Sequence, residues 1–136
     1  MSTQLIRNCS VALLAAVSMY AQGSQKMKVQ VPFGFHVGNS LLPSGEYTVD
    51  ADAGPGVVRL KSGDAKASVM IIALPVQAPA TPGQGKLVFH KYGEEYFLSQ
   101  IWKQGDLMGR ELRTTRREIE VASGARRRVE SIMARK

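Results

Sequence analysis

Cysteine is almost absent from this sequence, which has one thiol, Cys9, among its 136 residues. A single cysteine cannot form a disulfide within the chain, and it cannot supply the several thiolates of a structural zinc site. The sequence therefore excludes a fold that depends on disulfides or on thiolate-bound metal.

Catalytic motifs are also missing. No Gly-x-Ser-x-Gly nucleophile motif occurs, and no glycine-rich stretch leads into the Lys-Ser/Thr pair of a phosphate-binding loop. The two histidines, His36 and His90, lack an evident third metal ligand, because no spacing singles out Glu94, Glu95 or Asp50. Glu94 and Glu95 are adjacent, so their side chains should point apart and cannot act as a carboxylate pair. We predict a protein that is not an enzyme and has no metal or cofactor.

Acidic residues are fewer than basic ones, and the formal net charge is +7. The excess is concentrated between Arg110 and Lys136, where nine Lys or Arg residues accompany four Glu residues. Such a segment can attract an anionic partner, and its densest part is Arg126, Arg127 and Arg128. A solvated helix face and tail is the alternative, which we favour. No aromatic residue lies among these arginines to stack on bases, so we do not expect nucleic-acid binding.

The N-terminal segment has the pattern of a secretory signal peptide over residues 1–21. Arg7 provides the positive region, and Val11 to Val17 is an apolar stretch too short to span a membrane comfortably. Cleavage is expected after Ala21 or, alternatively, after Ser18, and would remove the lone cysteine. A retained amphipathic or buried helix is the other interpretation. We predict an exported protein, periplasmic or extracellular, with no membrane span in the mature chain.

The clearest periodic pattern runs from Met27 to Val37, where apolar residues occupy every second position. A period of two predicts a β-strand with one buried face. Pro32 cannot donate a ladder hydrogen bond and Gly34 permits a bend, so the strand should bend or change partners there.

Further short apolar stretches separated by turn residues bring the total to six or seven strands. They are Glu46 to Ala51, Val57 to Lys61, Ala67 to Leu74, Lys86 to Tyr92, Tyr96 to Lys103 and Leu107 to Leu112. The stretch from Ala67 to Leu74 is almost continuously apolar, which predicts a strand covered on both faces. Three prolines between Pro75 and Gly85 predict a loop. The pattern is typical of a single antiparallel β-sandwich or small barrel, which we place at residues 22–112.

The period changes at Thr115. Thr115 and Glu118 form a capping-box pattern, in which each side chain satisfies the other residue's backbone N–H, so a helix should begin there. Gly124 should end it. Residues 125–136 fit a helix face, an edge strand or disorder, and we favour strand or disorder. Residues 113–136 are thus predicted to form a basic C-terminal helix and tail.

Three aromatic residues, Tyr92, Tyr96 and Trp102, are candidates for lining a pocket for an apolar or carbohydrate ligand. A small β-domain must also bury large side chains, so the same residues could form its core instead. We favour the core.

Four segments span most of the chain after the predicted signal peptide. They are Val31 to Asn39 (VPFGFHVGN), Leu42 to Val49 (LPSGEYTV), Tyr92 to Trp102 (with YFLSQIW at its end) and Gly109 to Leu112 (GREL). Together they resemble a family of small exported, uncharacterised bacterial proteins. The resemblance implies a secreted β-rich domain and transfers no catalytic residue.

These observations predict a non-catalytic extracytoplasmic domain with a binding or structural role at the cell envelope. Its partner would be an envelope protein or an anionic surface. Two alternatives stay open: a module that binds an apolar or carbohydrate ligand through the aromatic residues, and an enzyme whose active site the sequence does not reveal.

Overall fold

The computed structural model describes residues 26–135, which form ten strands and one short helix. The predicted signal peptide, residues 1–21, lies outside the described residues, as does Cys9. The elements are β1 (Met27–Val31), β2 (Phe35–Val37), β3 (Ser40–Leu42), β4 (Gly45–Gly54), β5 (Val57–Ser62), β6 (Ser68–Gln77), β7 (Lys86–Tyr92), β8 (Glu95–Trp102), β9 (Met108–Leu112), α1 (Arg116–Ala122) and β10 (Arg127–Met133). The prediction of an all-β fold with one short helix is confirmed.

Pro32 and Gly34 divide the opening stretch into two strands with different neighbours. β1 pairs antiparallel with β4. β2 forms a hairpin with β3 and also pairs in parallel with β8, where His36 lies opposite Phe97. The predicted change of partner at this point is confirmed.

All ten strands belong to one hydrogen-bonded sheet. Its main path follows the order β1-β4-β5-β6-β9-β8-β2-β3, while β7 pairs with the other edge of β8 and β10 pairs with β7. Every pairing is antiparallel except that of β2 with β8. At the outer ends, Arg135 N donates a hydrogen bond to Lys28 O across 2.9 Å, but β1 and β10 form no ladder. The sheet is therefore an open mixed sheet.

The predicted sandwich or barrel of six or seven antiparallel strands is wrong in strand count and architecture. The count rises because the opening stretch is two strands, because residues 40–42 pair with β2, and because residues 127–133 pair with β7. The architecture differs because one edge of β8 has two partners. β2 lies opposite Phe97, while β9 lies opposite Gln100 and Ile101.

One hydrophobic core is built from the inward-facing residues of nearly every strand. Phe35 lies near its centre, with its ring centroid 5.2 Å from that of Tyr47 and 5.4 Å from that of Phe89. Val29 of β1 and Ala134, which follows β10, both belong to this core. Both outer ends of the sheet therefore cover the same apolar interior.

The outer side of β6 contradicts the prediction of a strand covered on both faces. Met70, Ile72 and Leu74 point away from the core and are exposed. The apolar run therefore leaves uncovered hydrophobic surface along one strand.

β6 also continues through Pro75 to Gln77, where the sequence predicts a loop. Pro75 lies opposite Arg110 of β9. An N–H at this position would point towards β5, on the edge opposite β9. The ladder between β6 and β5 has already ended, with Ile72 opposite Val57. Proline is tolerated at such a position because no ladder hydrogen bond is lost.

Helix α1 begins as predicted, with Thr115 as the N-cap residue, whose Oγ1 accepts a hydrogen bond from Glu118 N at 3.2 Å. It ends about two turns later at Ala122, just before Gly124, whose N–H donates to Val121 O. The residues after Gly124 form β10, so the strand alternative is the one observed, and β10 pairs with β7 along its whole length. No helix within residues 26–135 is long and apolar enough to cross a membrane.

Candidate functional site

A cluster of polar and aromatic residues lies on the outer face of the sheet, beneath α1. Strand pairing places His90, Phe97 and His36 side by side on β7, β8 and β2. Phe97 is buried although it lies outside the main core. The His36 ring stacks on it, with centroids 4.4 Å apart. The two histidines therefore lie on opposite sides of Phe97 and do not form a pair.

Glu118 is the buried carboxylate of this cluster. Its Oε2 accepts a hydrogen bond from the Tyr92 hydroxyl at 2.9 Å and lies 3.0 Å from Nδ1 of His90. Burial, followed by the contact with Glu118, raises the pKa of Tyr92 above its usual 10.0, while Arg127 acts in the opposite direction. Tyr92 is thus held neutral as a donor. The sequence predicts Glu118 as a capping partner of Thr115, but its carboxylate joins the helix to the sheet instead.

Glu95 provides the second carboxylate. Its Oε1 accepts a hydrogen bond from Arg117 Nη2 at 2.9 Å and lies 3.5 Å from Nε2 of His36. Each histidine thus contacts one carboxylate, and the two carboxylates come from different elements. Within residues 26–135, no group of three His, Cys, Asp or Glu side chains could hold a metal ion. The contacts of Glu118 with β7 and of Glu95 with Arg117 fit a role in fixing α1 on the sheet.

The three aromatic residues that are candidates for ligand binding do not converge on one pocket. Tyr92 lies under α1, where it contacts Glu118. Tyr96 stacks on Phe33 with ring centroids 3.6 Å apart. Trp102 covers the backbone of Gly109 on β9. Each ring has its own packing partner.

The three consecutive arginines lie where the chain leaves α1 and enters β10. Arg126 precedes the strand, Arg127 lies opposite Tyr92, and Arg128 lies opposite Lys91. Because side chains alternate along a strand, Arg127 projects to the side of Tyr92 and Arg128 to the other side, with Lys91. The structure therefore separates Arg127 from its two neighbours.

Lys91, Arg126 and Arg128 line a shallow depression of about 320 Å³, which we name the arginine depression. Glu94 is the one acidic residue among its described lining. Within residues 26–135, none of the three cations has a carboxylate within ion-pair distance. Lys91 Nζ lies 5.1 Å from the centre of the Tyr96 ring, and contact with this side chain raises the pKa of Lys91, with smaller contributions in the same direction from the charges of Glu94 and Glu130. The depression therefore presents a net positive charge, with three cations and one carboxylate in its described lining.

A second cluster of cations, which the sequence does not predict, surrounds the cleft where the two outer ends of the sheet approach. The cleft measures about 460 Å³, and its cations are Lys26, Lys28, Lys103 and Arg135. Two of the four are already compensated, because Lys103 pairs with Asp52 and Arg135 pairs with Glu46. These residues are distant in sequence, so no local pattern could have revealed them. The arginine depression differs in that none of its three cations forms an ion pair among the described residues.

No family model, curated protein or solved structure matches this chain. Function must therefore be inferred from the residues themselves, and membership in the family of small exported proteins stays a prediction.

Proposed function

We propose that this protein is a non-catalytic extracytoplasmic domain that binds an anionic partner at the cell envelope through the arginine depression. The observation that carries the proposal is the convergence of Lys91, Arg126 and Arg128 around one acidic lining residue, Glu94, with no ion pair to any of the three cations in the described part of the chain. Three neighbouring cations repel one another, and a bound anion relieves that repulsion. Export is proposed from the signal-like pattern of residues 1–21.

The side chains favour phosphate or carboxylate groups as ligands. Arginine presents a planar fork that binds either group through two parallel hydrogen bonds, and lysine adds a compact charge. Arg128 is held in place by the pairing of β10 with β7. The contact of Glu118 with Tyr92 fixes α1, from which the chain continues into Arg126. The cations are thus positioned by the fold and are not part of a free tail.

Binding of residues 22–136, the chain expected after cleavage at Ala21, to defined anions tests this proposal. Phosphatidylcholine vesicles that contain phosphatidylglycerol present anionic phosphates, and soluble polyglutamate presents carboxylates. We expect binding to one or both at low salt, with a progressive loss as salt screens the charges. Pure phosphatidylcholine vesicles serve as the neutral surface. Failure to bind either anion would contradict the proposal.

A triple variant locates the binding surface. Replacing Lys91, Arg126 and Arg128 by Ala should weaken binding about tenfold or more, because several charge contacts are lost together. The charge-matched control replaces three exposed lysines elsewhere, Lys28, Lys61 and Lys66, by Ala. Equal losses in the two triple variants would show that net charge, and not the depression, is responsible.

The two alternatives have less support. A pocket for an apolar or carbohydrate ligand would need Tyr92, Tyr96 and Trp102 to converge, and each has a separate packing partner. The contact of His90 with Glu118 has the form of the orienting half of a catalytic triad. Among the described residues, however, no serine or threonine hydroxyl forms a hydrogen bond with His90.

A further inference from the structure

One half of β6 has a neighbouring strand on one edge only. Residues 68–72 pair with β5, and residues 73–77 pair with β9 on the opposite edge. Within residues 26–135, no strand pairs with residues 68–72 on the edge opposite β5. An open strand edge is a template for an additional strand, which is why proteins usually cover or charge it.

Met70 lies at the middle of this open edge. Ala73 N donates a hydrogen bond to Gly56 O across 2.9 Å, towards β5. Successive residues of an antiparallel strand direct their backbone groups to alternate edges. The N–H and C=O of Met70, three residues before Ala73, therefore point away from β5. An incoming strand can form hydrogen bonds with both groups.

Apolar side chains flank the open edge on the outer face of the sheet. Met70 is 58% exposed and Ile72 is 72% exposed. Strands with a nearly continuous apolar sequence, such as β6, are usually buried on both faces. A strand added to the edge would cover part of this surface, and the removal of apolar area from water favours binding.

The open edge borders a groove of about 570 Å³. The hairpin tip at Gly38 and Asn39 lines one part of it, and the connection from Arg113 to Arg116 lines another. The tip packs closely against β6, since a Cβ atom on Gly38 would lie 2.7 Å from Ile71 Cδ1. The walls are therefore formed before any partner binds.

The groove is positively charged. Arg113 is exposed, and the Arg116 side chain is 94% exposed with one ion pair, to Glu120 at 3.7 Å. No acidic residue is among the described residues that line the groove. A second copy of this chain, paired edge to edge, would bring its own Arg113 and Arg116 towards these residues, and like charges repel. A segment that carries carboxylates is complementary instead.

We propose that this groove binds an extended acidic segment of another protein, which adds as a strand to the open edge of β6. The backbone of Met70 bonds to the added strand, and apolar side chains of the segment pack on Met70 and Ile72. Its carboxylates pair with Arg113 and Arg116. This surface is distinct from the arginine depression, so the inference goes beyond the function proposed above.

Titration of ¹⁵N-labelled residues 22–136 with the octapeptide Val-Val-Glu-Glu-Val-Val-Glu-Glu tests the inference, because this order presents both valine and glutamate on each face of the added strand. We expect saturable shifts of the backbone amides of Met70, Ile72 and Arg113. A peptide with lysine in place of glutamate and an acidic peptide with a central proline should each bind at least about tenfold more weakly, because one reverses the charge and the other removes a ladder donor. Absence of groove shifts with the acidic peptide, or equal binding of all three peptides, would overturn the inference.

Charge-reversed variants separate the two proposed sites. Arg113→Glu combined with Arg116→Glu should weaken binding of the acidic peptide at the groove, followed by the amide shift of Met70, about tenfold or more. Arg126→Glu combined with Arg128→Glu makes the same change of charge at the arginine depression and should leave binding at the groove, followed by the amide shift of Met70, within about twofold. Equal weakening by the two pairs would overturn the strand site. If only anion binding at the arginine depression is lost, the inference about the groove still stands.

Discussion

The hydroxyl of Tyr92 donates a hydrogen bond to the buried carboxylate of Glu118 across 2.9 Å, and this contact joins β7 to α1. The same carboxylate oxygen lies 3.0 Å from Nδ1 of His90. Hydrogen bonds of this kind offset the cost of taking a charged group out of water. Because α1 has seven residues and is too short to be stable alone, its position depends on contacts of this type.

Replacing Glu118 by Ala should destabilise the fold markedly. The variant leaves the Tyr92 hydroxyl and His90 Nδ1 without their partner in a buried site, which costs about 2 to 3 kcal/mol of unfolding free energy. Urea unfolding at neutral pH measures the loss. The control is Glu120→Ala on the same helix, whose ion pairs with Arg116 and Arg117 are exposed and 3.7 and 4.0 Å long. It should cost less than about 0.5 kcal/mol, and equal costs for the two variants would contradict the role of Glu118.

Stability should fall at alkaline pH in part through Tyr92. Burial and Glu118 raise the pKa of Tyr92, so the folded state holds this proton more tightly than the unfolded state does. Its contribution is complete below pH 10.0 and is lost as the pH rises through the raised value. Tyr92→Phe should remove part of this alkaline loss and lower the unfolding free energy at neutral pH by about 1 kcal/mol. Urea unfolding from neutral pH to about pH 11 measures both effects.

The Tyr92→Phe variant should still lose part of its unfolding free energy at alkaline pH, because Tyr47 also contributes to that loss. Burial and the nearby charge of Asp64 also raise the pKa of Tyr47, whose hydroxyl donates to Pro43 O. A pH profile of Tyr92→Phe that superimposes on the wild-type profile would show that Tyr92 is not coupled to folding.

Local sequence patterns predict some of these features and miss others for a physical reason. Thr115 followed by Glu118 correctly predicts where α1 begins, and Pro32 correctly predicts a change of strand partner, because both depend on neighbouring residues. The contact of Glu118 with Tyr92, 26 residues away, depends on which strands pair, and the periodicity of a strand does not specify its neighbour. The exposure of Ile72 was missed for the same reason.

The sequence predicts part of the arginine depression and misses the rest. The run from Arg126 to Arg128 is visible in the sequence, but its split between two faces follows from the register of β10 against β7. Lys91, the third cation of the arginine depression, could be found only through that register.

Asp52 should contribute stability that is lost in acid. Its carboxylate on β4 pairs with Lys103 and accepts a hydrogen bond from Arg110 Nη2 at 3.0 Å. The hydrogen bond from Lys103 lowers the pKa of Asp52 below 3.8; partial burial opposes this shift, and the charges of Lys103 and Arg110 reinforce it. The folded state thus prefers the ionised form, and the contribution is present above pH 3.8 and lost as the pH falls through the lowered value.

Asp52→Asn should therefore lower stability at neutral pH by less than about 1 kcal/mol, because the Asp52 side chain is 36% exposed and solvent screens its ion pairs. The difference from the wild type should shrink in acid. Urea unfolding from neutral pH to about pH 3 measures it. Asp106→Asn is the control, since Asp106 lies 3.9 Å from the same lysine. Asp106→Asn should lower the unfolding free energy less than Asp52→Asn does. A larger loss in Asp106→Asn would contradict the role of Asp52.

Gly109 should tolerate no side chain, because the indole of Trp102 lies directly against its backbone. A Cβ atom on Gly109 would lie 2.5 Å from Trp102 Cε3. The indole is buried and its Nε1 donates to Gln100 Oε1 at 3.1 Å, so it cannot move away without losing packing and a hydrogen bond. Gly109→Ala should lower the unfolding free energy by about 1 to 3 kcal/mol and shift the fluorescence of this single tryptophan. Gly83→Ala, whose Cβ would meet no atom within 4 Å, should stay within about 0.5 kcal/mol of the wild type. Unchanged stability and emission in Gly109→Ala would show that Trp102 does not pack on this strand.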